Sequence, residues 1–541
     1  MRRCGCRRGL VLARFLSGAA AMLGSVGLAG AADLPMTKSA PVEYVKVCAT
    51  HGVGFFYIPG TDTCIRIGGR ASFAYEFAQY RSLAGQDKSN FIAAGRIQVD
   101  ARTATQWGTL RTFVRMDIAS RTGQQHGASG TLRNHGPSSF NATGVDTYNR
   151  AYKYVEIDKA FIQFAGLTAG RATSFYDFYQ TDIELTNFSI TSNASSTNLL
   201  AYTAKFGNGF SATISMEDPT FRRNPLFFGA VAAGNPATAV VAQPFVGLNA
   251  GVPNAGLCLN GTVVGCTFAA PVWTFNANGQ RVGYAYVDAA QRLNVPDFVG
   301  NLRVDQGWGS AQLSFATHQM SVGNFSGGVT NGGFAARPDA KFGYAVQGGV
   351  KFNLPFIAPG DALWLQAAYA KGAMSYTGMS APIGHDSAIE GGIGGGSRFA
   401  VSKIDGYIDP TTGDIKQTTT WSVAAAFLHY WTPQLRSGFV ATYGQLRFPN
   451  GARVTGPMGN MYANNSGIYS PYLRDYNMFV GLTNLVWSPV KDLDIGVEVL
   501  YQRLDIAKGR VYDANKYGTL TGKTTTFDDN WLTRLRIDRT F

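Results

Sequence analysis

Outside the first 31 residues the chain keeps four cysteines in two close pairs, Cys48 with Cys64 and Cys258 with Cys266. Thiols at these spacings could hold a metal or form disulfides. Metal binding wants CxxC spacing or a set of neighbouring histidines; there is no CxxC and only the single His51 lies near a pair, so no metal and no cofactor is expected and both pairs read as disulfides. Six histidines, His51, His126, His135, His318, His385 and His429, are scattered, and no HExxH or GxSxG pattern accompanies them, so nothing points to an enzyme. The run Gly391-Gly392-Ile393-Gly394-Gly395-Gly396 lacks the strand-to-helix setting of a phosphate loop and reads as a plain loop. Charge is where chemistry concentrates. A segment rich in aromatics and acids, 175–197, carries Asp177, Asp182 and Glu184, and the region before it carries Arg70, Arg96, Arg102, Arg111 and Arg115. Opposed acids and arginines across a narrow aqueous space make a transverse field that orients solutes and sets ion preference. The alternative is that the acids sit in a solvated loop and the arginines pair locally with Asp100 and Asp117.

The elements that must position these charges have a period of two. Ile67, Gly69, Ala71, Phe73, Tyr75 and Phe77 interleave with Arg66, Gly68, Arg70, Ser72 and Glu76; Ile97, Val99 and Ala101 interleave with Arg96, Gln98, Asp100 and Arg102; Leu110, Val114, Met116 and Ile118 interleave with Arg111, Arg115 and Asp117. That is strand periodicity, not helical periodicity. Sixteen segments follow: 64–78, 90–105, 108–120, 153–165, 166–174, 198–206, 210–218, 297–306, 308–318, 341–353, 361–371, 420–431, 434–447, 476–488, 492–505 and 528–541. Tight connections such as Gln106-Trp107, Gly207-Asn208-Gly209 and Thr432-Pro433 alternate with long ones, the longest being 219–296. Several strands exceed ten residues, enough to cross a bilayer at a tilt, with apolar faces toward lipid and polar faces toward a lumen. The segments 153–165 and 476–488 alternate poorly, because Lys159 and Asn484 fall on the nominal lipid face.

Composition agrees. Charged residues are 15% against roughly 25% in ordinary soluble domains, aromatics are 13%, and glycine reaches 65. No apolar run of 18 residues follows the N-terminus. The first 31 residues, with Arg2, Arg3, Arg7, Arg8 and Arg14, an apolar stretch, and Ala29-Gly30-Ala31, read as an export signal. Without them, 42 basic residues face 34 acids, a net +8; export and strand alternation argue against nucleic acid as the partner. The expected organisation is a signal at 1–31, a periplasmic pre-barrel segment at 32–63 and one all-β transmembrane barrel at 64–541, with the third long loop folded inward. The closing Arg534-Leu535-Arg536-Ile537-Asp538-Arg539-Thr540-Phe541 reads as a signal for the barrel-assembly machinery, with Arg539 departing from the apolar set.

Residues 33–69 carry a further signal. Asp33-Leu34-Pro35, Pro41-Val42-Glu43-Tyr44-Val45, Cys48 and Gly54-Phe55-Phe56-Tyr57-Ile58-Pro59-Gly60-Thr61-Asp62-Thr63-Cys64-Ile65-Arg66-Ile67-Gly68-Gly69 resemble the alphaproteobacterial outer-membrane porin family, as does 160–171. The resemblance implies a sixteen-stranded homotrimer in the cell outer membrane, surrounded by lipid, that lets small hydrophilic solutes and ions diffuse passively through a water-filled channel. The competing reading is a receptor or adhesin barrel acting through its long surface loops; bilayer conductance separates the two.

Overall fold

The computed structural model describes residues 46–541 except 80–88, 122–151, 193–195, 225, 229–272, 276–280, 285–287, 290–293, 322–338, 380–388, 392–399, 409–413, 450–467, 470–473 and 513–523. The segment 1–31 and most of the glycine run at 391–396 lie outside the described residues.

Sixteen strands form one closed antiparallel barrel: β1 Thr63–Gln79, β2 Ser89–Thr105, β3 Gly108–Arg121, β4 Tyr152–Phe164, β5 Leu167–Ala172, β6 Thr197–Gly207, β7 Phe210–Glu217 and β8 Asp297–Gln306. The second half is β9 Gly309–Met320, β10 Lys341–Asn353, β11 Ala362–Lys371, β12 Thr419–Thr432, β13 Leu435–Arg447, β14 Tyr476–Val490, β15 Leu493–Ile506 and β16 Phe527–Thr540. Each strand pairs with its sequence neighbour, and β16 closes on β1 with Arg70 opposite Thr540 and Gln79 opposite Trp531. Gly69 and Phe541 exchange backbone hydrogen bonds of 3.0 Å at that seam. Closure satisfies every ladder and leaves no edge, which the hydrocarbon demands. The turns are built for it: Ala165 and Gly166 both have positive φ, 48° and 87°, as a two-residue hairpin with right-handed twist requires. At Gly209, φ 81°, an added Cβ would collide with the carbonyl of Asp305, so only glycine fits.

The outward face is apolar between two aromatic belts. Trp107, Phe206, Trp308, Phe356, Trp431, Trp487 and Phe541 are exposed at the turn end. Tyr75 with Phe91, Tyr344 with Tyr369, and Tyr501 with Trp531 pair at the loop end, at 5.1, 6.2 and 4.8 Å. Phe342 and Phe352 bracket β10; ten residues at about 3.3 Å each and a tilt of about 40° give roughly 25 Å, the height of the apolar band in such barrels.

The two poorly alternating segments have separate physical reasons. In β4 the pairing shifts between Arg115 and Met116: Lys159 stands opposite Arg115 and Ile157 opposite Met116, so Asp158 is a bulge residue and Lys159 turns into the lumen, where it donates to Thr173. In β14 the expected phase is corrected: Asn484 is 5% exposed and inward, while Leu485 and Trp487 face lipid at 49% and 50%. Val480, Leu482 and Val486 are also inward, and a loop covers them, so both faces of β14 are apolar and the parity was ambiguous.

Before β1, the two-residue strand Phe56–Tyr57 pairs back onto Ile65 and Cys64, and Cys48 is disulfide-bonded to Cys64 with Cα atoms 6.0 Å apart. Phe55 is buried here, 2% exposed. The bridge spans 16 residues, so in the chain-entropy picture it contributes about 3 kcal/mol. The structure therefore shows the first of the two expected disulfides. The second expected pair, Cys258 with Cys266, falls in 229–272, outside the described residues. Thiol labelling of the unreduced, denatured protein is expected to leave Cys48 and Cys64 unmodified, and reduction should lower the midpoint at which this segment becomes protease-sensitive; labelling of either cysteine before reduction would refute the bridge.

Candidate functional site

The third long connection, between β5 and β6, enters the lumen and is pinned to one half of the inner wall. Asn301 Nδ2 on β8 donates to the Phe175 carbonyl (2.6 Å), and Ser314 Oγ on β9 and Gln347 Nε2 on β10 both donate to the Tyr176 carbonyl (2.9 Å). The Tyr179 N–H donates to Gln366 Oε1 on β11 (2.9 Å), Asn484 Nδ2 donates to the Ile183 carbonyl (2.7 Å), and the N–H groups of Leu185 and Thr186 donate to Glu498 on β15 (2.8 and 2.9 Å). Arg534 and Arg536 on β16 both donate to the Leu185 carbonyl, and the Ile190 N–H donates to Thr442 Oγ1 on β13. A loop with no secondary structure of its own thus has its backbone satisfied by lumenal side chains. Its apolar side chains finish the docking: Phe178, Tyr179, Ile183, Phe188 and Ile190 pack on Trp364, Val440, Leu482, Leu500 and Leu532.

The three acids of this loop have different fates. Asp177 is buried; its Oδ1 accepts from Arg222 Nη2 (2.8 Å) and Ser192 Oγ (2.5 Å), and Arg222 itself lies over the Tyr376 ring at 4.2 Å. Glu184 is 3% exposed and accepts from Tyr179 Oη (3.0 Å) and the Ser189 N–H (3.3 Å); burial, with Glu498 nearby, pushes its carboxyl up to about 7. Only Asp182 of the three is exposed, and burial raises its carboxyl against the attraction of Lys351. Arg222 belongs to the start of the longest connection, so the fourth loop also reaches inward. Its Leu226–Phe228 pairs in parallel with Gly406–Ile408 of the sixth long loop, and Asp405 there accepts from Asn224 N–H (2.7 Å) and stands 3.6 Å from His318, which is bound to Asp297 at 3.0 Å.

The arginines occupy the other half of the wall. Arg96 binds Asp117 at 2.6 Å and stands 3.7 Å from Asp158; Arg115 binds Asp158; Arg102 and Arg111 both bind Asp100, at 2.7 and 3.0 Å; Arg70 stands 3.9 Å from Asp538. Their side chains stay 20% to 33% exposed. The structure therefore brings Arg96, Arg102, Arg111 and Arg115 together on wall acids, and gives Asp177 a different partner, Arg222. The sequence reading missed Arg222, Glu498, Asp158 and Asp538. Glu498 was detectable as an acid between Val497 and Val499; the Asp177–Arg222 pair leaves no periodic trace.

A family model described as the porin subfamily matches residues 33–530. The chain belongs to the porin family. Porin Omp2b of Brucella suis biovar 1 (strain 1330) is 30% identical over 209 residues, 37% of this porin and 52% of that protein, and Porin Omp2b of Brucella canis matches to the same extent. The chain spans about half the length of the curated relatives it matches. The outer membrane channel DcaP of Acinetobacter baumannii has a TM-score of 0.51 at 14% identity, covering 90% of this porin and 99% of that chain, a likeness of fold. Lipid-facing apolar strands between two aromatic belts place the porin in the outer membrane.

Proposed function

We propose that the chain is a diffusion channel of the outer membrane, passing small hydrophilic solutes and ions without catalysis. The observation that carries this reading is the division of the inner wall: the third loop covers one half, and the other half keeps partly exposed arginines facing the remaining lumen. The constriction in this reading lies between Asp182 on the loop and Arg70, Arg96, Arg102, Arg111 and Arg115 on the wall, with Asp177 and Glu184 holding the loop rather than meeting solute. Homotrimeric assembly and delivery by the barrel-assembly machinery, with Phe541 in its signal, follow from the family resemblance and belong to the same proposal. So does a disulfide between Cys258 and Cys266, which rests on their proximity in sequence; peptide mapping of the unreduced protein that joined either one to Cys48 or Cys64, or found it free, would remove it.

The test of the channel is conductance in planar bilayers. Purified protein should insert in discrete steps, and absence of steps from folded protein would remove the channel reading. In a salt gradient, Asp182→Asn should move the reversal potential toward anions and Arg111→Gln with Arg115→Gln toward cations, because confined charges are screened less than exposed ones. If none of these moves the potential, the constriction is elsewhere.

A further inference from the structure

At the turn end of the arginine wall three guanidiniums share one carboxylate. Arg102 on β2 and Arg111 on β3 are direct cross-strand partners, and Arg66 on β1 is opposite Asp100. Like charges directly opposed on one sheet face are destabilising. Asp100, its side chain 2% exposed, relieves part of this: it lies 2.7 Å from Arg102, 3.0 Å from Arg111 and 3.9 Å from Arg66. One negative charge against three positive ones leaves two uncompensated.

Beyond Asp100, neutral groups hold the three side chains in place: Arg111 Nη1 donates to Gln163 Oε1 (3.0 Å), and aromatic rings flank all three. The Phe55 ring has Arg66 at 5.0 Å and Arg102 at 4.8 Å. Phe113 and Phe161 stack at 5.3 Å, and Arg111 lies 5.1 and 5.4 Å from their centroids. A ring face orients a guanidinium without neutralising it. Phe55 is brought there by the Cys48–Cys64 bridge, since Cys64 is the cross-strand partner of Arg102. The side chains of Arg66, Arg102 and Arg111 remain 44%, 26% and 28% exposed. If the cluster served only to tie strands, one arginine on Asp100 would do it at lower electrostatic cost. An oriented, partly hydrated surplus of guanidinium forks suits planar or tetrahedral oxyanions, whose oxygens match the fork.

We propose that Arg66, Arg102 and Arg111 form an anion-binding station on the solute path, taking small carboxylates or phosphates, and that Phe55, tethered by the disulfide, is its positioning residue. The station deepens the channel reading and rests on the lumen being a solute path. The probe is inorganic phosphate, titrated calorimetrically into the full-length, detergent-folded protein, and separately added to potassium chloride in the bilayer. Wild type should bind phosphate saturably, and phosphate should reduce chloride current over the same concentration range. Arg66→Gln with Arg111→Gln, which leaves Asp100 paired with Arg102, should raise the half-saturating concentration about tenfold or more. Phe55→Ala changes no charge and should raise it about threefold, the effect of a lost ring contact. Arg436→Gln, in a separate pair with Asp494 at 2.7 Å, should leave it unchanged. Heat-modifiable gel mobility checks that each variant folds. If wild type takes up no phosphate, or the double variant binds it as wild type does, the cluster is structural only and the proposal falls. Saturable binding by a folded protein that conducts nothing would remove the channel reading and with it the station's place on a solute path, leaving an anion site alone.

Discussion

Replacing Arg222 with Gln is expected to release the root of the inward-folded loop. The guanidinium is 3% exposed and Asp177 0%, so the variant leaves a buried carboxylate that keeps the Ser192 hydroxyl but loses its guanidinium. Breaking a buried pair from one side costs about 3–5 kcal/mol, because desolvation is kept and the compensating charge is lost. Asp177→Asn should cost a similar amount from the other side. The double variant, with neither charge, should cost less than the sum of the two, since neither member of the pair is then left without the other. The damage should be local: the sixteen-strand ladder does not involve these side chains, so heat-modifiable mobility should persist while protease cleavage appears within 175–192 and open-channel noise rises. Arg222→Gln with unchanged protection and unchanged noise would show that the hydrogen bonds from Gln312, Ser314 and Gln347 hold the loop root without the ion pair.

How far this arrangement could be read in advance depends on whether a residue sits in a periodic element. β1, β2 and β3 alternate over most of their length, with inward apolar residues such as Phe113 the exceptions, so the inward positions of Arg70, Arg96, Arg102, Arg111 and Arg115 were legible from parity. All sixteen expected segments meet the observed strands within two residues at each end; in the fifth the strand stops at Ala172 and the loop begins two residues sooner than expected. Parity fails where a second layer covers the wall. β14 has Phe479 and Leu485 outside and Val480 and Leu482 inside, because the loop supplies an apolar neighbour within the lumen; two apolar faces carry no phase. Parity also fails at Asp158, since a bulge shifts the count by one and the sequence around it holds no glycine to mark it. The loop acids were recognisable as unusual by their aromatic setting. Their partners were not, because Arg222 lies in another loop 45 residues away and meets Asp177 through chain geometry that no local pattern encodes.

The docked loop should also tighten as the medium is acidified across the neutral range. Glu184 is 3% exposed, holds Tyr179 Oη and the Ser189 N–H, and has no cation among its hydrogen-bond partners. Burial first, and then the nearby Glu498, raise its carboxyl from an ordinary 4.5 to about 7. Between those values the docked loop holds a proton that the undocked loop has released, so docking is strongest below about 4.5 and weakens as the pH climbs to about 7. A shift of that size corresponds to about 3 kcal/mol at pH above 7, of the order of the cost of breaking the Asp177–Arg222 pair from one side. Hydrogen exchange of the 183–190 amides should therefore slow as pH falls from 8 to 5, after correction for the intrinsic chemical rate. Glu184→Gln keeps a neutral group of the same shape in the pocket, at the loss of one acceptor, and should flatten this dependence while leaving exchange at pH 8 no faster than in wild type. If Glu184→Gln retains the full pH dependence, the titrating group lies elsewhere, and the buried carboxyl is not what couples this loop to pH.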